Sequence, residues 1–111
     1  MDESAYRARI DETLRRIDAA FESVDPDLAE SDYAQGTLVI TFRQAHKLIL
    51  SPQTPVRQLW IAFRDRAWHF NFDHATQRWL DDRGQGLDLL ALIAELTQHN
   101  VGVGLVFAQP A

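Results

Sequence analysis

The fold is determined by residues 37–63, which read TLVITFRQAHKLILSPQTPVRQLWIAF. Large apolar side chains occupy every second position of this stretch, in three runs separated by short polar connections. A period of two is typical of β-strands with one buried face, and short connections join antiparallel neighbours. The pattern begins at Tyr33 and resumes at 68–73 and 77–80. The sequence therefore predicts an antiparallel meander of five or six strands.

Two prolines interrupt the middle of this stretch, at Pro52 and Pro55. Proline has no backbone N–H and cannot donate to a strand ladder. The connection at 51–55 is therefore predicted to be a bend between two strands.

A helix is predicted on each side of the meander. In residues 4–24 the apolar side chains recur at steps of three and four and form one stripe, with Ser4 as the predicted cap and Pro26 limiting the end. The second helix, at 87–99, is apolar over most of its circumference, so it must be buried on more than one side. The tail that follows carries four apolar residues suited to filling a groove: Val103, Leu105, Val106 and Phe107.

These elements predict one domain over residues 1–111, an α+β two-layer sandwich with both helices on one face of an antiparallel five- to six-stranded sheet. The other face is then open. The alternation assigns seven residues to that open face: Val39, Ile49, Gln58, Trp60, Ala62, His69 and Asn71. Exposed tryptophan is enriched at interaction hot spots, so we predict a partner surface around Trp60 that includes His69. The alternative is that Trp60 belongs to the core.

The charge is distributed unevenly. The net charge is −5, yet residues 1–32 hold ten acidic and four basic residues, and the rest of the chain is near +1. This asymmetry favours a cation or a basic protein as partner and argues against nucleic acid. The alternative is a solvated helix face. The chain has no cysteine and no run of about 20 apolar residues, so we expect no thiolate metal site, no membrane partner and a cytoplasmic protein.

A specific pattern lies within the deciding stretch. It reads Gln-x-Pro-x-x-Gln-x-Trp-x-Ala and is formed by Gln53, Pro55, Gln58, Trp60 and Ala62. Further matching segments lie around it in the same order: 38–42, His69-Phe70, Trp79 and Leu89-Leu90. With these elements the chain resembles bacterial frataxin of the CyaY type from about Tyr6 to His99. The resemblance implies both helices on one side of the sheet and the tryptophan exposed on the other.

The resemblance also implies a function. Frataxins bind ferrous and ferric iron (Fe2+/Fe3+) weakly through carboxylates, dock on the cysteine desulfurase of the cluster scaffold machinery, and regulate its rate, with a proposed role as iron donor or sensor. The positions matching the iron-binding acids are Asp11, Asp18, Glu22, Asp25, Asp27, Glu30 and Asp32. The positions matching the partner surface are Gln58 and Trp60, together with the acidic ridge residues Asp18 and Glu22. We expect a monomer, with iron-dependent oligomers.

The sequence also departs from the family pattern. Ala19 and Ser23 stand where several members carry a second acid, and Arg15 lies beside the ridge. We therefore expect a sparser iron site and a docking role that is less affected. A metal-independent interaction module of the same fold is the alternative. A ferroxidase is a third possibility, but no nucleophile–base constellation is present, so we expect no catalysis.

Overall fold

A computed structural model describes residues 1–109 of the chain. Its helices and strands are α1 (Glu3–Ala20), β1 (Ala29–Ala34), β2 (Thr37–Phe42), β3 (Lys47–Gln53), β4 (Gln58–Phe63), β5 (Arg66–Asp73), β6 (Arg78–Asp81) and α2 (Leu89–Val101). Short 3-10 turns lie at Phe21–Ser23 and Thr54–Val56. The six strands form one antiparallel sheet in the order β1-β2-β3-β4-β5-β6. The predicted meander is confirmed.

One hydrophobic core lies between the sheet and the two helices. The stripe of α1 and the following turn is buried throughout, from Tyr6 to Val24. Alternate residues of the central strands meet it, and α2 adds its own apolar side chains. The residues between them on each strand, such as Val39 and Ile49, lie outside this core. Both helices therefore pack on one face of the sheet, and the predicted two-layer sandwich is confirmed.

The start of α1 differs from the prediction. Its cap is Asp2, not Ser4: the Asp2 carboxylate accepts a hydrogen bond of 2.7 Å from the backbone N–H of Ala5. A charged carboxylate also interacts favourably with the positive end of the helix dipole, which a serine hydroxyl cannot match. At the other end the helix tightens into the 3-10 turn at Phe21–Ser23 before Pro26.

The first strand begins earlier than the predicted Tyr33. A turn brings the N–H groups of Leu28 and Ala29 to the carbonyl of Asp25, and β1 starts directly after it. The polar composition of Glu30, Ser31 and Asp32 conceals this strand in the sequence. As an edge strand, β1 pairs only with β2, so it tolerates charged side chains that an inner strand would not.

The predicted bend at 51–55 is only partly correct. Strand β3 continues through Pro52, which pairs with Leu59 of β4, and the bend is confined to the turn at Thr54–Val56. On the other side, pairing between β2 and β3 ends at Leu50. Pro52 therefore lies where β3 has no second neighbour, and its missing N–H leaves no gap in the ladder.

Helix α2 begins after its cap, Asp88, and ends at Gly102, whose φ of 71° is the left-handed conformation that glycine adopts without strain. In the tail, Val103, Leu105 and Phe107 pack against the core as predicted. The prediction for Val106 was wrong, because its side chain is 82% exposed: the extended tail turns alternate residues to the core and to solvent. In the described part of the chain, neither helix is both long and apolar enough to cross a membrane.

Candidate functional site

The open face of the sheet carries an aromatic patch, which we define as Gln58, Trp60 and His69. Trp60 lies opposite His69 on β4 and β5, and the two rings stack with centroids 4.2 Å apart and planes 17° from parallel. The indole N–H of Trp60 donates a hydrogen bond of 2.8 Å to Oε1 of Gln58. Gln58, Trp60 and His69, three of the residues predicted for this face, are therefore in contact with one another. Trp60 is half-buried and stays outside the core, which excludes the alternative assignment.

Two further residues support the patch. The amide of Gln58 reaches Oδ1 of Asn71 and Oδ2 of Asp82, both at 3.3 Å. The same Asp82 oxygen lies 3.5 Å from Nδ1 of His69. Side chains from β4, β5 and the segment after β6 thus hold one another, so the patch is oriented before any partner arrives.

Asp82 is a site residue that sequence reasoning missed. The Asp81-Asp82 pair reads as a turn with local charge pairing to Arg83. Instead, Asp81 accepts backbone hydrogen bonds from Arg83, Gln85 and Leu87, while Asp82 turns to the open face. Burial favours the neutral acid, yet these N–H donors prevail and lower the pKa of Asp81. The alternation of β6, continued by one residue past its end, would have placed Asp82 beside His69.

The predicted metal ligands lie in several places, and the first is Asp11 on α1. Its carboxylate accepts two hydrogen bonds from Nε of Arg15, at 2.9 and 3.0 Å, and one of 2.9 Å from the hydroxyl of Tyr33 on β1. Arg15 foremost, and then Tyr33, lower the pKa of this carboxyl. Asp11 is therefore charged, but protein donors already hold it.

Asp18 and Glu22 lie further along the same side. Asp18 accepts a hydrogen bond of 2.6 Å from the hydroxyl of Ser31 on β1, while Glu22 is exposed. Both line a shallow groove between the helix end and the start of β1, and Glu30 lines it too. Three of the predicted acids therefore border one groove, with Glu30 contributed by the edge strand.

The other predicted acids lie in the turn before β1 and on the edge strand itself. Asp25 accepts a hydrogen bond of 2.9 Å from the backbone N–H of Asp27 and closes the turn before β1. Ser31 and Tyr33 face α1, so the residues between and beside them, Glu30 and Asp32, lie on the other side of the edge strand. Asp32 therefore belongs to the open face.

The acids offer single oxygens to a cation. Across residues 1–109, no group of three or more His, Cys, Asp or Glu side chains is arranged to hold a metal ion. Carboxylate oxygens suit hard cations such as ferric iron, but a lone carboxylate leaves most of the coordination shell to water. The donor chemistry fits weak iron binding and does not fit a closed site.

The chain can be compared with known proteins. Residues 1–103 match the sequence model of the frataxin-like domain family. The iron-sulfur cluster assembly protein CyaY of Azotobacter vinelandii is 34% identical over 109 residues, which cover 98% of this chain and 97% of that protein. The protein of the same name from Pseudomonas aeruginosa is 35% identical over 107 residues, covering 96% and 97%.

A solved structure agrees with these relatives. Frataxin from Psychromonas ingrahamii matches this fold with a TM-score of 0.88 at 22% identity, over 98% of this chain and 100% of that one. At this identity the match supports the fold alone. Fold, family match and relatives coincide over nearly the whole chain, and this protein therefore belongs to the frataxin family, of the CyaY type.

Proposed function

We propose that this protein acts in iron–sulfur cluster assembly in the cytoplasm, where it docks on cysteine desulfurase and regulates cluster formation without catalysing a reaction itself. The observation that carries the proposal is the stacked Trp60–His69 pair on the open face of the sheet. Two relatives that align over nearly the whole chain are named iron-sulfur cluster assembly proteins, which supports the same process here.

The aromatic patch suits docking because it is rigid before contact. A tryptophan whose ring is stacked and whose N–H is bonded loses little freedom when a partner covers it. Ordering a mobile side chain at an interface costs about 0.5–1.5 kcal/mol, and preorganisation removes most of that cost. Tryptophan is also among the residues that most often dominate binding energy.

The acidic ridge supplies a second contact. Asp18 and Glu22 lie on one exposed side of the helix end, and from Asp18 to Asp32 the chain has six acids and no base. Such a surface fits a basic patch on the desulfurase. Because exposed charges are screened by salt, we expect partner affinity to rise as salt is lowered.

Iron is the cargo of this proposal and binds weakly, as ferrous or ferric ion. The alternative, a metal-independent interaction module, is favoured by one observation: Asp11 and Asp18 already accept hydrogen bonds from protein donors. An anaerobic titration with ferrous iron separates the two functions, since the module would show no binding. Steady turnover of ferrous to ferric iron at catalytic protein concentration would instead indicate a ferroxidase.

A desulfurase pull-down tests the docking proposal. We expect wild type to be retained, and both Trp60→Ala and the double variant Asp18→Lys with Glu22→Lys to be retained less. The single variants Glu22→Lys and Glu95→Lys change the net charge equally. Glu95→Lys is therefore the matched charge control for the ridge, because Glu95 is exposed on α2, away from the ridge and the patch. It should bind like wild type.

Two results would reject the docking proposal. Equal retention of wild type and both site variants would show that neither surface contacts the desulfurase. If wild type is not retained, the desulfurase is not a partner of this protein.

A further inference from the structure

One end of the sheet carries a basic rim, which we define as Arg43, Lys47, Arg64 and Arg66. The turn between β2 and β3 holds Arg43, and Lys47 is the first residue of β3. Arg64 lies in the turn between β4 and β5, and Arg66 begins β5. Because β3 pairs with β4, the two turns are neighbours at the same end of the sheet.

The cations of the basic rim are not neutralised. All four side chains are exposed, and within residues 1–109 none of them has a carboxylate within 4.0 Å, although Arg7, Arg9 and Arg15 do. Arg66 lies over the ring of Trp68, with its guanidinium carbon 4.5 Å from the centroid. One acid, Asp65, lies between Arg64 and Arg66, so the net charge of this end of the sheet is near +3 in a chain of net charge −5.

This gathering of charge does not stabilise the fold. Leu48 pairs with Phe63, and the residues next to this pair are Lys47, which begins β3, and Arg64, which begins the turn after β4. Like charges gathered at one end of a sheet repel each other. An arrangement that weakens the isolated chain is expected where a ligand of opposite charge relieves the repulsion.

The rim is continuous with the aromatic patch. Ala62 and Ala67 pair across β4 and β5 between Trp60 and the rim, and both are small and exposed. From Trp60 to Phe63 the strand β4 spans about 10 Å, and Arg64 follows it directly. Lys47 follows the alternation of Ile49 and lies on the open face, whereas Arg66 pairs with the core residue Phe63 and lies over Trp68 on the helix side. One partner on the open face can therefore cover the patch and the outward part of the rim.

We propose that the basic rim is a docking surface for a carboxylate-rich extended segment of a partner protein. The rim crosses the ends of four neighbouring strands, a width of about 14 Å, which matches about four extended residues of a bound segment. The inference goes beyond the proposed function, because it names a second surface, of opposite sign to the acidic ridge, and a class of ligand for it. Nucleic acid is disfavoured by the net negative charge of the chain.

The test uses a fluorescein-labelled peptide of alternating glutamate and serine, titrated with the full chain at low salt and followed by anisotropy. We expect wild type to bind it. The double variant Arg43→Glu with Arg64→Glu should weaken that affinity about tenfold, because two attractions become repulsions. The matched control is Arg7→Glu with Arg78→Glu, which changes the net charge equally at cations outside the rim. It should stay within about twofold of wild type.

Four results would overturn this inference. If wild type does not bind the peptide, carboxylate-rich segments are excluded as ligands of the rim. Equal weakening in both double variants would show that binding follows net charge alone. A short single-stranded DNA that binds as tightly as the peptide would assign the rim to nucleic acid. Self-association in sedimentation experiments that the rim variant abolishes would assign it to a second copy of this chain. None of these results depends on the desulfurase.

Discussion

Two of the three tryptophans of the sheet, Trp60 and Trp79, should respond very differently to truncation to alanine. Trp79 is 4% exposed and packs edge-on against Tyr6 and Phe72, at centroid distances of 6.3 and 5.3 Å. Its N–H donates to the hydroxyl of Thr13 at 2.9 Å. Trp60 lies on the open face, where it has the stack on His69 and a hydrogen bond to a neighbouring side chain.

The magnitudes follow from these contacts. Truncating a buried tryptophan removes its transfer free energy and leaves a cavity, so Trp79→Ala should destabilise the protein by about 3–5 kcal/mol. Trp60→Ala loses a stack of about 0.5–1.5 kcal/mol and a partly exposed hydrogen bond of at most about 1 kcal/mol. We therefore expect about 1–2 kcal/mol for Trp60→Ala. A small domain of ordinary stability would remain folded after that loss.

Urea denaturation followed by far-ultraviolet circular dichroism measures both losses, since a fluorescence readout would change with the deleted rings. The dependence of free energy on urea should have the same slope in all variants. Trp60→Phe is the control that keeps an aromatic ring on His69, and it should recover part of the loss.

One result would refute the reasoning. If Trp60→Ala loses as much stability as Trp79→Ala, Trp60 is part of the core. The deletion would then impair docking by unfolding the protein, and the pull-down could no longer report on the aromatic patch.

Three further predictions concern the helices and the ridge. Gly102→Ala should destabilise by about 1 kcal/mol in the same urea assay, because no atom lies within 4 Å of the added Cβ and the loss comes from the left-handed backbone alone. The pKa of Asp11 is lowered from 3.8, mainly by Arg15, so the contribution of Asp11 to stability is present above about pH 4 and is lost as the pH falls through its folded pKa. The difference in unfolding free energy between wild type and Asp11→Asn should therefore shrink on acidification. A constant difference would contradict the ion pair. Ser31→Ala should lower stability by about 1 kcal/mol, since the carboxylate of Asp18 loses its donor, and an unchanged urea midpoint would show that this hydrogen bond contributes nothing.

Much of this fold could be predicted from residue pattern. The helix stripe from Tyr6 to Val24 and the alternation in β2 and β4 identified both buried faces, because long periodic segments leave few ways to bury their apolar side chains. The weaker predictions were at boundaries. Strand β1 alternates in burial, but its inward residues Ala29 and Ser31 are small, so its sequence lacks the hydrophobic alternation that reveals the other strands. Asp2 rather than Ser4 caps α1, since both residue types cap helices and only the structure distinguishes them.

The aromatic patch could be predicted in part. Gln58, Trp60 and His69 followed from alternation and from the family resemblance, and the strand register brings them together. Asp82 was not predicted, because its neighbours in sequence offer a simpler local pairing, although the alternation of β6 continued by one residue points to it. Its contact with Gln58 spans 24 residues and exists only once β6 has paired with β5.

The sequence by itself determined the class of this protein: its antiparallel meander, its two helices, its family and the sign of its acidic segment. These are properties of local period and composition, which the chain carries before it folds. The tertiary structure alone decided how the charges are used. It turned Asp11 and Asp18 toward donors on β1, left Glu22 exposed, and gathered the four cations of the basic rim at one end of the sheet. The reason is that a carboxylate's availability depends on which strand lies beside it, and strand neighbours are set by pairing across the sheet.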